Sequence, residues 1–257
     1  KFAAKLKKAK RPMIIIGMGA LARADGAAVL GQSRDIAETY GVVTKTWNGF
    51  NILHSAASRV AGLDMGFVPE KSGLDVEAMC KAAEAGKLDL VWLLGADEAD
   101  LPRLKNAFIV YQGHHGDNGA HHADVVLPGA AYTEKDGIYL NTEGRVQYAN
   151  RAAFPPGEAR EDWAILRAFA GVMKINFGFD SLDELRELLF RAVPHFADRD
   201  MISPTKWVKF GSRAKVKPVK FTTAIDNFYM TCAISRASET MAECMRANGT
   251  DRAEAAE

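Results

Sequence analysis

Apolar and polar positions fall into blocks whose period switches between strand and helix along this chain. Met13 to Ile16 (MIII) is a continuous β-branched run that stops at Gly17-Met18-Gly19, and Asp25 to Tyr40 then carries Val29, Ser33, Ile36, Ala37 and Tyr40 at helical spacing. A strand, a glycine turn and a helix are predicted there. Val42 to Thr46 is a second strand candidate, and Asp75 to Gly86 (DVEAMCKAAEAG) reads as a helix with an acidic start and a glycine stop. Leu90 to Leu94 (LVWLL), Ala107 to Tyr111 (AFIVY) and Asp124 to Leu127 (DVVL) are three further strands, apolar at successive positions. Tyr132 to Leu140, broken at Asp136-Gly137, predicts a hairpin, and Asn141 to Gly144 (NTEG) a second turn before Arg145 to Gln147. Helices are predicted over Glu161 to Met173 and, after the cap-like SLDE, over Ser181 to Val193. Past Pro194 the pattern fades into loop over 196–223, with a last short helix over Ile234 to Ala247.

Strands that are apolar on both faces and separated by helices need cover on both sides, so the fold class is α/β with a doubly wound, mostly parallel sheet. Residues 1–195 supply that domain, and residues 196–257 form an extended, loop-rich C-terminal arm with a short helix. A chain of 257 residues, 48% hydrophobic and 25% charged, is long enough to bury a large core. With 33 basic and 32 acidic residues it has no global field for nucleic acid or an anionic membrane. No apolar run approaches the ~20 residues of a membrane helix. Charge is concentrated locally: KFAAKLKKAKR at the start and Lys206 to Lys220 (KWVKFGSRAKVKPVK) each hold six positive groups and no acid, as a solvated face or a contact for an acidic partner. Cys80, Cys232 and Cys244 are odd in number and far apart, which speaks against a disulfide framework and for a reducing compartment. A start at Lys1 fits a processed product, a fragment or the ordered part of something longer.

Ligands of parallel α/β sheets sit beyond the carboxyl ends of the strands, and four segments there are candidates. Gly17-Met18-Gly19-Ala20 lacks the third glycine of a dinucleotide fingerprint and the later acidic residue, which favours a plain tight turn over a phosphate cradle. Asp97 and Glu98 in Leu94-Gly95-Ala96-Asp97-Glu98 are placed to bind a ribose or a metal, or, as acids after a turn more often do, to cap the next segment. His114, His115, His121 and His122 crowd into nine residues, yet their adjacent pairs match no familiar zinc spacing, so loop hydrogen bonding is preferred to a metal. Glu134, Asn141, Glu143 and Arg145 can satisfy one another, making the turns a cover rather than a ligand cradle. No serine or cysteine stands in an elbow context, so no nucleophilic triad is assigned.

Longer stretches carry a resemblance. RPMIIIGMGALARADGAA, TWNGFNILHSAASRVAGLDMGFVPE, LLGADE, YQGHHGDNGAHHADVVLPGAAYTEKDGIYLNTEGRVQYANRAAFPPGEAREDWAILRAFA and FYMTCAISRASETMAEC together resemble the C-terminal half of the large iron–sulfur (75 kDa, or G) subunit family of respiratory complex I, NADH:ubiquinone oxidoreductase. The resemblance runs from about Lys10 to Cys244. It implies a molybdopterin oxidoreductase-like (formate dehydrogenase-like) fold and a non-catalytic, structural place in the peripheral hydrophilic arm, supporting NADH-to-ubiquinone electron transfer. The iron–sulfur clusters are then expected in the partner region: the family's cluster cysteines belong to an N-terminal part that nothing here matches, so no cluster, molybdenum ligand, catalytic residue, cofactor-binding residue or metal ligand is carried over. The implied partners are other hydrophilic-arm subunits, above all the cluster-bearing N-terminal part of the same subunit, on the matrix side of the mitochondrial inner membrane or the cytoplasmic face of a bacterial one. Ala123 to Gln147 becomes an inherited cofactor-site rim closed upon itself.

Two other classes remain: a live molybdopterin-dependent oxidoreductase fragment, and a nucleotide-binding domain like that of thiamine-diphosphate enzymes, suggested by KRPMIIIGMGALARADGA and VVTKTWNG but stopping near Asn51. The arm itself holds Phe221, Ile225, Phe228, Tyr229, Met230, Ile234, Met241 and Met245, more apolar surface than a free tail leaves in water, so it is expected to dock against a neighbour or back across its own domain.

Overall fold

A computed structural model describes residues 2–221, 223–225 and 227–248; Lys1 of the basic opening run lies outside them. The chain divides into two compact units. The first draws its residues from Lys1–Asp64, Tyr139–Gln147 and Asp198–Asp226, the second from Met65–Ile138, Tyr148–Ala197 and Asn227–Glu257. The expected arm of residues 196–257 is thus shared between the two units.

In the first unit α1 (Phe2–Lys8) buries no residue, and its Lys5, Lys7 and Lys8 lie in the last turn, where the helix dipole favours cations. Strand β1 (Ile14–Gly17) runs straight into α2 (Met18–Leu21); Gly17 has φ −81° and ψ 154°, and neither Gly17 nor Gly19 has a positive φ, so the expected glycine turn is replaced by a direct strand-to-helix passage. Helix α3 (Gly26–Thr39) buries Ala28, Gly31, Arg34 and Ala37, one stripe at a spacing of three. Val42 to Thr46 is not a strand: it contributes a single bridge, Val43 to Asn48, and the partner of β1 is β2 (Phe50–Leu53), parallel, with Ile14 opposite Phe50. The short α4 (Arg59–Asp64) follows.

The second unit begins with α5 (Val76–Glu84), whose Asp75 side chain accepts from Ala78 N at 2.8 Å and whose end is closed by Gly86 at φ +64°. Strands β3 (Leu90–Leu94), β4 (Phe108–Gly113) and β5 (Val125–Pro128) form a parallel sheet in that order, with α6 (Asn118–His122) between the last two. Leu93, Ile109 and Tyr111 pack on one face with Cys80 and Ala83 of α5 and with Leu101 and Leu104 of a 3₁₀ turn. Trp92, one residue out of phase, points to the other face and meets Phe169, ring centroids 4.8 Å apart. Helices therefore lie on both faces of this sheet.

The hairpin forms one turn later than its pattern suggests. Gly137 starts β6 (Gly137–Leu140), which pairs with β7 (Val146–Ala149) across the Asn141–Gly144 turn. Helices α7 (Asp162–Val172) and α8 (Leu182–Ala192) follow as expected, Ser181 Oγ accepting from Glu184 N at 3.2 Å. The single terminal helix is instead two, α9 (Ala233–Arg236) and α10 (Glu239–Asn248).

Candidate functional site

The place to look is the carboxyl end of β3 and β4. Gly95, at φ +60°, turns the chain out of β3 and its amide donates to Gln112 O at 2.8 Å. That turn delivers Asp97, 8% exposed, under Gly119, whose amide donates to Asp97 Oδ1 at 3.2 Å. Tyr111, 1% exposed, fills the space between: a Cβ on Gly119 would lie 2.4 Å from its ring, and one on Gly113 2.3 Å from its hydroxyl. Both glycines are there so that backbone and ring can touch. Burial, with the Asp97 carboxylate as the second influence, pushes the Tyr111 hydroxyl up to about 12, so it stays protonated.

Arg236 of α9 closes this end. Its Nε bonds Asp117 Oδ2 at 2.5 Å, and its terminal nitrogens lie 3.6 Å from Asp97 Oδ2 and 3.7 Å from Glu98 Oε1. Burial is the largest influence on the guanidinium and works to lower its pKa, but the Asp117 bond and the neighbouring carboxylates outweigh it and the net shift is upward. On Asp117 burial again pulls toward the neutral form, and the bonds from Arg236 and Asn118 N win, holding the carboxyl below its ordinary range. Asp117 also caps α6. On the opposite face the fully buried Gln112 accepts from Trp92 Nε1 at 3.2 Å and donates to Asp162 Oδ1 at 2.9 Å, and Lys135 pairs with Asp162.

Two of the candidate segments, Asp97-Glu98 and the histidine-rich loop, are thus brought together, by a residue of the arm whose sequence context gives no sign of the role. The histidines themselves are not. His121 and His122 bond through Nδ1 to the carbonyls of Asp117 and Asn118 within their own helix, and His114 and His115 meet edge to face at 5.0 Å. Burial, then His115, lowers the His114 pKa. Among the described residues no three His, Cys, Asp or Glu side chains are grouped to hold a metal. Cys80 is buried against β3 and β4, Cys232 Sγ lies 3.4 Å from Ser235 Oγ, and Cys244 is partly covered on α10. Of the mutual bonds expected among the turn residues, Arg145 makes one, to Glu143 at 3.1 Å, and also bonds Asp200 O at 2.9 Å, while Asn141 Oδ1 accepts from the amides of Glu143 and Arg145 at 3.0 Å. Glu134 is the exception, its carboxylate accepting from Ala131 N at 2.9 Å instead of joining that set.

In the first unit the basic stretch 206–220 is a strap laid on α3. Arg23 forks onto both Asp25 oxygens at 2.8 Å and donates to Lys217 O and Val219 O; Lys217 N donates to Asp25 Oδ2 at 2.7 Å, and Arg34 to Phe210 O at 2.6 Å. Phe50, Trp207 and Phe210 pack together, centroids 4.9–5.5 Å apart. The lysines and arginine of the strap stay exposed, so its attachment is by backbone and aromatics.

Parallel sheets with helices between the strands, closed at their ligand end by protein groups, describe a domain of known class. The chain belongs to the molybdopterin oxidoreductase family, whose model matches residues 1–172. A second match narrows this: residues 202–244 match the family model for the C-terminal part of the G subunit of NADH-ubiquinone oxidoreductase. The chain is similar to the G subunit of NADH-quinone oxidoreductase from Rickettsia felis (46% identical over 96% of this chain and 35% of that protein). It is also similar to the 75 kDa subunit of NADH-ubiquinone oxidoreductase from Reclinomonas americana (42%, over 95% and 35%) and to the mitochondrial 78 kDa subunit from Neurospora crassa (43%, over 97% and 34%). It spans about a third of the length of these relatives.

The family's name implies a molybdopterin. The residues at the carboxyl ends of β3 and β4 do not fit one: an anionic pterin phosphate there would face Asp97, Glu98 and Asp117, the Arg236 guanidinium is committed to those three, and the α6 N-terminus is taken by its own Asp117.

Proposed function

We propose that the chain is a non-catalytic, structural portion of the peripheral arm of respiratory complex I, supporting NADH-to-ubiquinone electron transfer carried out by cluster-bearing partners. The observation that carries this is the closure of the sheet's ligand end: Arg236 sits among Asp97, Glu98 and Asp117 at the carboxyl ends of β3 and β4, where parallel α/β sheets bind their ligands. The names of the relatives supply the assembly. No residue is assigned to catalysis, to cofactor binding or to a metal, and the clusters belong to the N-terminal part of the same subunit type. In this reading the sheet domain is doubly wound, residues 1–195 are its body and residues 196–257 a docking arm. Phe221, Ile225 and Ile234 of that arm remain exposed, which supports a partner for it. Among the described residues no helix is long and apolar enough to cross a membrane. The position proposed is peripheral, on the matrix side of the mitochondrial inner membrane or the cytoplasmic side of a bacterial one.

The test is truncation after Lys220. Circular dichroism and melting establish whether the body still folds, and native gels whether it enters the complex. A folded body that fails to incorporate supports the docking role; normal incorporation refutes it.

A further inference from the structure

The second unit holds α9 and α10 by very little apolar burial. Helix α10 has no fully buried residue, its Met241, Ala242, Cys244 and Met245 being half-buried, and α9 fully buries only Ala233. Against this stands Arg236, 24% exposed, with three carboxylates within 4 Å, two of them on residues that are themselves largely covered: Asp97 at 6% and Asp117 at 17% side-chain exposure. Those acids are anchored independently of the arm, Asp97 by the Gly119 amide and Asp117 by the Asn118 amide. The receptor is therefore preformed, and α9 reaches all three of its acids through one guanidinium.

We infer that α9 and α10 form a latch, held shut by the fork of Arg236 on Asp97, Glu98 and Asp117, that can open without unfolding the sheet beneath it. Opening uncovers an acid-lined mouth at the ends of β3 and β4, with Tyr111 at its floor. The geometry favours a guanidinium over an ammonium: three acids approached from Nε and both terminal nitrogens match a planar fork, whereas a point charge reaches one of them well. The inference concerns the second unit alone and does not depend on the assembly the chain joins.

Hydrogen exchange of the full chain, followed by mass spectrometry, tests it with the variants Arg236→Ala and Arg236→Lys. Loss of a charge-assisted bond at a largely covered site corresponds to roughly a 10- to 100-fold shift of the opening equilibrium. Arg236→Ala is expected to speed exchange over 233–248 by that factor while β3 and β4 keep their protection; Arg236→Lys should fall between, and ethylguanidinium chloride, but not ethylammonium chloride at equal concentration, should slow the Ala variant again. Unchanged exchange over 233–248 overturns the latch. So does equal acceleration in β3 and β4, or failure of the Ala variant to fold, since either makes Arg236 part of the core.

Discussion

The sharpest mechanical claim about the first unit is that the strap lies on α3 at backbone contact, and Gly31 tests it. A Cβ built on Gly31 would lie 2.1 Å from Ser212 O and 3.0 Å from both Ser212 C and N, all backbone atoms that no rotamer change can move aside. Gly31→Ala would ordinarily gain about 1 kcal/mol of helix propensity in a helix interior. Here it must push the strap outward, losing the Ser212 N to Ala27 O bond of 2.7 Å, about 1 kcal/mol, and overpacking the Phe50–Trp207–Phe210 cluster, about 1–3 kcal/mol. The net loss is about 2 kcal/mol, or roughly 4–8 °C in melting temperature for a chain of this size. Gly171→Ala is the matched control: it lies in α7 with nothing within 4 Å of its Cβ, so the same substitution should stabilise by about 0.5–1 kcal/mol. Thermal melting reads both signs, and hydrogen exchange localises the first to 207–219. A Gly31→Ala variant as stable as the parent, with protection over 207–219 unchanged, would refute the seating of the strap.

Further outcomes follow from the second unit. Gln112→Ala leaves Trp92 Nε1 and Asp162 without their buried partner and opens a cavity, for an expected loss of about 2–4 kcal/mol in urea unfolding; a loss under about 1 kcal/mol would show that the bridge is dispensable. His114 has its pKa lowered by burial, so the unfolded chain binds its proton first and stability falls as pH drops below the ordinary histidine value near 6.5. Melting temperatures from pH 7.5 to 5.5 should decline less steeply in His114→Gln, and parallel slopes would remove His114 from the account. Single replacement of His114, His115, His121 or His122 should leave zinc content unchanged by elemental analysis, and release of a bound zinc by any one of them would overturn the loop reading.

Much of this was legible because period and caps agree with burial where one element meets its neighbours locally. LVWLL and AFIVY became parallel strands, Asp75 and Ser181 became side-chain caps, and the NTEG turn closes on Asn141. Val42 to Thr46 misled because it has the composition of a strand, while pairing is decided by register: Gly49 O accepts from Ile14 N, which starts the ladder at Phe50. The hairpin slipped by a turn for a similar reason, Asp136 being used to cap Arg151 N at 2.9 Å instead of turning the chain. The closure of the site was illegible because its parts are far apart, Arg236 lying 119 residues from Asp117; the strap was illegible for the same reason, Lys217 lying 192 residues from Asp25. An arginine in a polar segment gives no periodic signal of its destination. The hint available was composition, a pair of acids at Asp97 and Glu98 just after a glycine turn.

The chain is proposed to serve as scaffold in an NADH:quinone oxidoreductase and to carry no redox centre of its own. The most direct test is purification from native membranes in mild detergent through a tag on this chain, with polypeptides identified by mass spectrometry and iron, molybdenum and tungsten measured in the same fraction. A scaffold role predicts co-purification with cluster-bearing subunits, iron in several equivalents, NADH oxidation by quinone, and neither molybdenum nor tungsten. One equivalent of molybdenum or tungsten, or recovery of the chain free of iron–sulfur proteins, would contradict it.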